Sequence, residues 1–509
     1  MRLAATAKAV LPMTIAQPAD ACARAAPAAR AATSASGRLV TAGLLLAALA
    51  LGASLRFSGL GAREMSADEG ATWAAAAAPS VAAVVRRQAI LNPGKLALQE
   101  VALHGWMKIF GNGLAAMRAL SAALDTFAIL VVFLVARELF DEPGFARAAD
   151  MVAALAAMLF AGNLVTIKYA QELRMYALAL LLVTVQVWFF LRAARRGGRF
   201  NLVALATLTA LAIGAHFTAA FMVAAEGLCM PFLPETRLRV GAARSRTAAD
   251  RCRLGVPLAL AASLGAGIAI FLVVAAPALR IGAGAFAHGA TSWIERPRWW
   301  APLALFNKGT GTFAFPVMGA LAGWGAWRRW RRARGAVAFA LAWMWLPPML
   351  LLAASWAFSP MFVERYALWC FVPFFILTAL GIQELPAPPA RASALAFVLA
   401  LALGHLYSYR HRPHGAQWRE AAHTAADGLT LGAKIAIAPP YAVNVVRYYL
   451  RDSAAADAAV PADGAKAEVL VIDEHWIAQG KAAKLLADYP RPVARLRGVR
   501  VQRRALRRD

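Results

Sequence analysis

Cysteine is scarce in this 509-residue chain. Cys22, Cys229, Cys252 and Cys370 are scattered without the spacing of a zinc or dithiol site, and they imply no disulfide framework. Acid is scarce as well, with 27 Asp and Glu against 54 Lys and Arg. The resulting net charge of +27 would suit a nucleic-acid partner if the basic residues formed one patch. They lie instead in clusters between apolar runs, so membrane topology accounts for them and no nucleic-acid partner is expected. No clear internal repeat is present. The C-terminal stretch has no phosphate-cradling glycine loop and no cluster of metal ligands.

What is abundant is apolar sequence, at 61% of residues and a mean hydropathy of +0.55. Runs close to 20 residues recur, the length that crosses a hydrocarbon core of about 30 Å. Eleven spans are expected, at 39–60, 114–136, 151–167, 175–192, 201–215, 217–235, 254–276, 303–327, 336–357, 366–383 and 392–409. The fold class is therefore an all-α polytopic membrane bundle. Residues 1–38 are Ala-rich and basic with no apolar signal core, and are expected to form a disordered tail.

Three basic loops set the orientation. They are Arg192–Arg199, Arg237–Arg253 and Arg328–Arg334. With eleven spans all three fall on the side of the N-terminus, which the positive-inside rule places in the cytoplasm. The 61–111 lobe, the 168–174 segment, the 277–302 loop and the C-terminal hundred residues then lie together outside. The lobe is expected to form short helices at the membrane surface. From His411 onward the character changes. Ala433–Ala438 and Ala467–Ile472 read as buried strands, Ala442–Leu450 and Trp476–Leu486 as helices. A small accessory α/β domain over 411–509 fits, with the transmembrane domain over 39–410.

Polar groups concentrate at the outer side. Ser66-Ala67-Asp68-Glu69 has the spacing of a capping box, in which Glu69 would close a helix start. The same stretch supplies two carboxylates, either of which can act as a general base toward an acceptor hydroxyl. Both roles are compatible. Downstream lie Arg86, Arg87 and Lys95, cations suited to an anionic group. In Ile167–Tyr176, a continuous helix would put Lys168, Glu172 and Tyr176 on one face and Gln171 beside Arg174. Interfacial anchoring accounts for part of that cluster. Arg365-Tyr366 opens the tenth span from outside, where Arg365 either snorkels or holds a phosphate by its planar fork. His216 and His288 are lone histidines suited to structural roles or to substrate contact, as is Tyr366. Asp125 and Glu226 lie within spans and need partners there, with Arg118 two turns from Asp125 as a candidate.

Several stretches together resemble a known family. They are Asp68-Glu69 after the first span, Leu103–Gly111 followed by Met117–Ser121, Tyr169–Leu178, Arg365-Tyr366 with Pro373, and Gln417–Ala422. In order and spacing the chain is similar to the bacterial GT-C membrane glycosyltransferases of the protein O-mannosyltransferase-like group. That group comprises glycosyltransferase family 39 and relatives that transfer aminoarabinose or galacturonic acid to lipopolysaccharide.

The resemblance implies a catalytic base at Asp68, with Glu69 beside it and a second acid at Glu172. It implies a polyprenyl-phosphate sugar as donor, with the phosphate held by Lys95, Arg365 and Arg174. Some relatives bind a divalent metal at the acids, which here would involve Asp68 and Glu172. Where many relatives carry a Pro-Pro-Leu-Tyr segment, this chain has Asn92-Pro93-Gly94-Lys95-Leu96. The expected activity is inverting transfer to a hydroxyl of a glycolipid, polysaccharide or protein, outside a bacterial inner membrane. A transporter or flippase of a lipid-linked sugar is the rival reading, favoured by Asp125 and Glu226.

Overall fold

A computed structural model describes residues 18–92, 95–142, 145–230, 246–287, 294–462, 467–480 and 482–504. The long helix α1 (Pro18–Phe57) leads into a lobe of three short helices, α2 (Ala67–Ala76), α3 (Val81–Leu91) and α4 (Leu98–Phe110). The bundle continues with α5 (Leu114–Leu139), α6 (Ala146–Gly162), α7 (Leu164–Ala170), α8 (Tyr176–Arg196), α9 (Arg199–Ala215) and α10 (Ala219–Cys229). Next come α11 (Arg246–Ala287), α12 (Ala301–Thr310), α13 (Ala314–Trp330) and α14 (Arg334–Ala357). A 3-10 turn, Glu364–Cys370, precedes α15 (Phe371–Gln383), and α16 (Pro388–Arg410) closes the bundle. Helix α1 starts at Pro18, so the expected disordered tail is corrected from there on. Its Ala-rich sequence has the best intrinsic helix propensity.

Among the described residues, seven helices are long and apolar enough to cross a membrane, or eight if the bent pair α6–α7 counts as one. The expected eleven therefore divide. Helices α9 and α10 stand where two spans are predicted but are shorter. The predicted span 303–327 is broken at Gly311, whose φ of +99° a side chain would resist, into α12 and α13. Helices α6 and α7 meet at 60°. That bend frees backbone carbonyls, and Arg56 collects them. Its guanidinium donates to the Phe160 and Ala161 carbonyls and to the Thr166 hydroxyl, while its Nε lies 2.6 Å from Asp125. Asp125 is thus paired with Arg56 and not with Arg118. Glu226 accepts from the Gln186 side chain at 2.7 Å.

At one end of the bundle Arg195 donates to the Leu139 carbonyl, Arg196 pairs with Glu138, and Arg329 lies beside Glu384. These include two of the predicted basic loops. Most of the third, over 237–245, lies outside the described residues, as do Pro93, Gly94, His288 and Trp293.

At the opposite end the chain forms α17 (Trp418–Ala426), β1 (Ile435–Ala438), a 3-10 turn (Pro440–Ala442), α18 (Val443–Leu450), β2 (Ala459–Pro461), β3 (Val469–Asp473), α19 (Glu474–Ala478), α20 (Ala483–Asp488), β4 (Arg491–Leu496) and β5 (Val499–Arg503). The sheet order is β2-β1-β3-β5-β4, with β2, β1 and β3 parallel and the last two strands antiparallel additions. Strands β1 and β3 are buried on both faces, which is why they read as continuous apolar runs. The helix predicted over Trp476–Leu486 splits at Gly480, φ +73°.

This unit is not a detached accessory. Met65, Ala76 and Leu103 of the lobe, Met117 and Leu173 of the bundle, and Trp418, Ile435 and Val445 share one hydrophobic core.

Candidate active site

The site forms where the lobe, the bundle end and the α/β unit meet. Helix α2 starts with the predicted capping box. The Ser66 hydroxyl accepts from the Glu69 amide, and Glu69 Oε2 accepts from the Ser66 amide. The Glu69 carboxylate is also held at both oxygens by Arg118, at 2.8 Å each, and by the Leu173 amide at 2.8 Å. Burial alone would raise its pKa. Arg118 and the backbone donors at Ser66 and Leu173 outweigh that and leave it lowered. Glu69 is thus a fully ligated structural anion. Its oxygens accept from the Ser66 amide and hydroxyl, the Arg118 guanidinium and the Leu173 amide, an arrangement that suits an anchor more than a proton acceptor.

Asp68, one position earlier on α2, points elsewhere. Its side chain is 55% exposed, and Oδ2 lies 3.8 Å from the Arg365 guanidinium. Arg174 fixes the base of this arrangement. It is buried, and its Nη1 donates to the Asp68 carbonyl at 2.9 Å, to the Thr72 hydroxyl at 3.1 Å and to Asn92 Oδ1 at 3.4 Å. It ties the turn before α8 to helix α2 and therefore holds the Asp68 backbone. Thr72 and Asn92 were not singled out from the sequence, since neither carries charge and their link to Arg174 spans many residues.

Lys95 is also buried, with its ammonium 3.5 Å from Glu100 Oε1 and 3.4 Å from the Met175 sulfur. Burial, reinforced by Arg174 and opposed by Glu100 and Asp68, pulls its pKa down to about 8. Glu100 is a partner that the sequence reading missed. The Lys95–Glu100 spacing of five does not match a helical pair, because the chain is non-helical until Leu98.

The predicted helix through Ile167–Tyr176 does not exist. Helix α7 ends at Ala170 and α8 begins at Tyr176. Gln171 turns back to donate to the carbonyls of Leu55, Arg56 and Ser58, closing the end of α1. It does not meet Arg174. Lys168 lies over the Tyr169 ring, 4.8 Å from its centroid. Glu172 has no hydrogen bond among the described residues. Burial first, opposed by Lys168 and reinforced by Glu69, raises its pKa.

His216 lies behind the cations. It is buried, and its ring centroid is 4.6 Å from that of Tyr366. Its Nδ1 pairs with the Thr218 hydroxyl at 2.7 Å, and that hydroxyl donates to the Tyr366 carbonyl. Burial, then the charges of Lys95, Arg174 and Arg365, push its pKa down to about 3. His216 is therefore neutral at ordinary pH and supports the turn that carries Arg365. Arg86 and Arg87 are outside the cluster, with Arg87 donating to the Ala74 carbonyl.

The donor set suits an anion better than a resident divalent cation. Asp68 already faces Arg365, three cations converge beside it, and no group of three or more His, Cys, Asp or Glu is gathered among the described residues.

Residues 100–239 match the family described as dolichyl-phosphate-mannose-protein mannosyltransferase. No curated protein matches the chain in sequence. Among solved structures it is similar to ArnT from Cupriavidus metallidurans in the apo state, with a TM-score of 0.55 and 14% identity, covering 91% of this chain and 98% of that one. The same protein bound to undecaprenyl phosphate gives 0.53 and 13%, covering 90% and 98%. The archaeal oligosaccharyltransferase AglB from Archaeoglobus fulgidus, in complex with an inhibitory peptide and a dolichol-phosphate, gives 0.53 and 12%, covering 86% and 70%. Identities this low speak to fold, and fold does not fix function. The bundle, the surface lobe and the α/β unit thus share the fold of these solved structures, a GT-C type fold, and residues 100–239 match the family model.

Proposed function

We propose that this protein transfers a sugar from a polyprenyl-phosphate donor to an acceptor hydroxyl at the outer face of a bacterial inner membrane. The observation that carries the reading is the half-exposed Asp68 carboxylate opposite Arg365, beside the buried cations Lys95 and Arg174. In this reading a base and an anion site lie side by side at one end of an apolar bundle. The solved relatives bound to undecaprenyl phosphate and dolichol-phosphate support a lipid phosphate as the anion.

In this reading Asp68 accepts the proton of the acceptor hydroxyl. The oxygen attacks the anomeric carbon, the bond from that carbon to the phosphate oxygen breaks, and the polyprenyl phosphate leaves with the electron pair. A single displacement inverts the anomeric centre. Arg365, Lys95 and Arg174 stabilise the charge that develops on the leaving phosphate, a contribution that is usually large. Glu172, with its raised pKa and free carboxyl, is the reserve candidate for the base.

The transporter reading rests on Asp125 and Glu226. Asp125 serves the α6–α7 bend through Arg56, and Glu226 accepts from Gln186, so each has a structural partner inside the bundle. Mass spectrometry of envelope glycolipids from cells with and without this chain tests the proposal. Loss of one glycosylated species is expected. An unchanged glycan profile together with a misplaced lipid-linked sugar would favour transport instead.

A further inference from the structure

Tyr441 is 59% exposed, although the residues after it are core. It lies in the Pro440–Ala442 turn directly after β1, and that turn packs against α2, the helix of Asp68. Ala442, Val443, Val445 and Val446 are buried beneath it. The turn that carries the ring is therefore seated on buried residues and against the helix of Asp68.

Its place in the sheet is also distinctive. Strand β1 has β2 on one side and β3 on the other, all parallel. From β1 the chain moves to β2, and then crosses to β3. In open parallel sheets such a divergence leaves a crevice outside the carboxyl ends, where ligands bind. Tyr441 follows the carboxyl end of β1, and Asp473 ends β3. One oxygen of Asp473 accepts from the His475 amide at 2.7 Å. Ala438 of β1 pairs in register with Ile472 of β3, so the Tyr441 turn and Asp473 leave the sheet at neighbouring carboxyl ends, and partial burial, then the charges of Asp473 and Asp68, raises the pKa of the Tyr441 hydroxyl.

A flat exposed ring next to carboxylates matches one chemistry well. A sugar has a C–H face that stacks on an aromatic ring and a rim of hydroxyls that donate to carboxylates. We propose that Tyr441 and Asp473 form an acceptor subsite that holds a sugar ring of a glycan acceptor next to Asp68. This rests on the transferase reading and adds the acceptor's class.

Saturation-transfer NMR on the full chain in nanodiscs, with methyl glycosides of glucose, galactose, mannose and N-acetylglucosamine as probes, tests it without turnover. The wild type and Tyr441→Phe are expected to saturate the ring protons of at least one probe. Tyr441→Ala should bind that probe about tenfold more weakly, as loss of one stacking platform implies, with an unchanged melting temperature. Asp473→Asn should weaken the same probe. Equal binding by Tyr441→Ala, no probe bound by the wild type, or binding of a Ser/Thr peptide in place of every glycoside would overturn the proposal. Sugar release from a polyprenyl-phosphate donor, assayed separately, reports on the transferase reading alone.

Discussion

Arg118 grips both carboxylate oxygens of Glu69 at 2.8 Å, and its remaining hydrogens go to the carbonyls of Leu60, Arg63 and Glu64. One bundle helix thereby fixes the whole entry into α2. The two carboxylates that adjoin in sequence are placed oppositely, Glu69 buried against Arg118 and Asp68 exposed toward Arg365. Removing one member of a buried pair typically costs about 3–5 kcal/mol, because the other charge is left without compensation. Glu69→Ala and Arg118→Ala are each expected to lower thermal stability strongly. The double variant should be less damaged than the sum of the two, as a double-mutant cycle on melting data would show. Additive losses would mean that the pair is not formed.

A second prediction concerns the seat of the α/β unit. A Cβ added at Gly70 would lie 2.7 Å from the Val445 amide nitrogen and 3.0 Å from its Cα, both backbone atoms of α18. Gly70→Ala should help an isolated helix by roughly 1 kcal/mol. Here overpacking, typically about 1–3 kcal/mol, should dominate. The variant is expected to melt lower and to lose turnover, since Asp68 sits two residues away. A stabilised variant would show that α18 does not rest on α2.

These contacts mark what was legible in the sequence. The apolar runs, the capping box and the buried strands β1 and β3 were readable because each is a local pattern with a fixed period or spacing. The gathering of Asp68, Lys95, Arg174 and Arg365 at one end of the bundle followed from the expected topology and the resemblance. Pairings across distant segments were not readable. Arg118 was matched to Asp125 by helical spacing, yet the bend at α6–α7 creates a need for Arg56 there and frees Arg118 for Glu69. The break after Ala170 was hidden as well, because Tyr169–Tyr176 keeps helical spacing while Asn163, capping α7 with its side chain, starts a separate short helix. Strands β4 and β5 were missed because their outward residues are charged.

The third prediction uses pH. The Lys95 pKa of about 8 means that its ammonium is charged below that value and neutral above it. Attraction for the donor phosphate is therefore present below pH 8 and lost as pH rises through it. The ratio kcat/KM for the donor should fall over that range, and Lys95→Arg should remove the fall by staying charged. A profile that is flat to pH 10 in the wild type would exclude Lys95 from donor binding. Arg365→Ala should raise donor KM at every pH, and Arg365→Lys should restore it in part, because an ammonium lacks the bidentate fork.

The last prediction separates cap from catalyst on α2. Ser66 and Asp68 are two residues apart, but their bonds differ in kind. The Ser66 hydroxyl serves the Glu69 amide and carboxylate, a local matter of typically ~1 kcal/mol. Asp68 keeps an exposed carboxylate toward Arg365, and its backbone is held by Arg174 whatever its side chain is. Asp68→Asn should therefore fold like the wild type and lose about 10²–10⁴-fold in turnover, the usual contribution of a general base. Ser66→Ala should turn over normally with a lower melting temperature. Glu172→Gln is the control for the reserve candidate and should retain activity if Asp68 is the base. Transfer from a synthetic polyprenyl-phosphate sugar in nanodiscs, measured beside thermal melts of all three variants, decides among them. A fully active Asp68→Asn with an inactive Glu172→Gln would move the base to Glu172, because its carboxyl, free of hydrogen bonds among the described residues and raised in pKa by burial, is a further acid at this end able to take a proton.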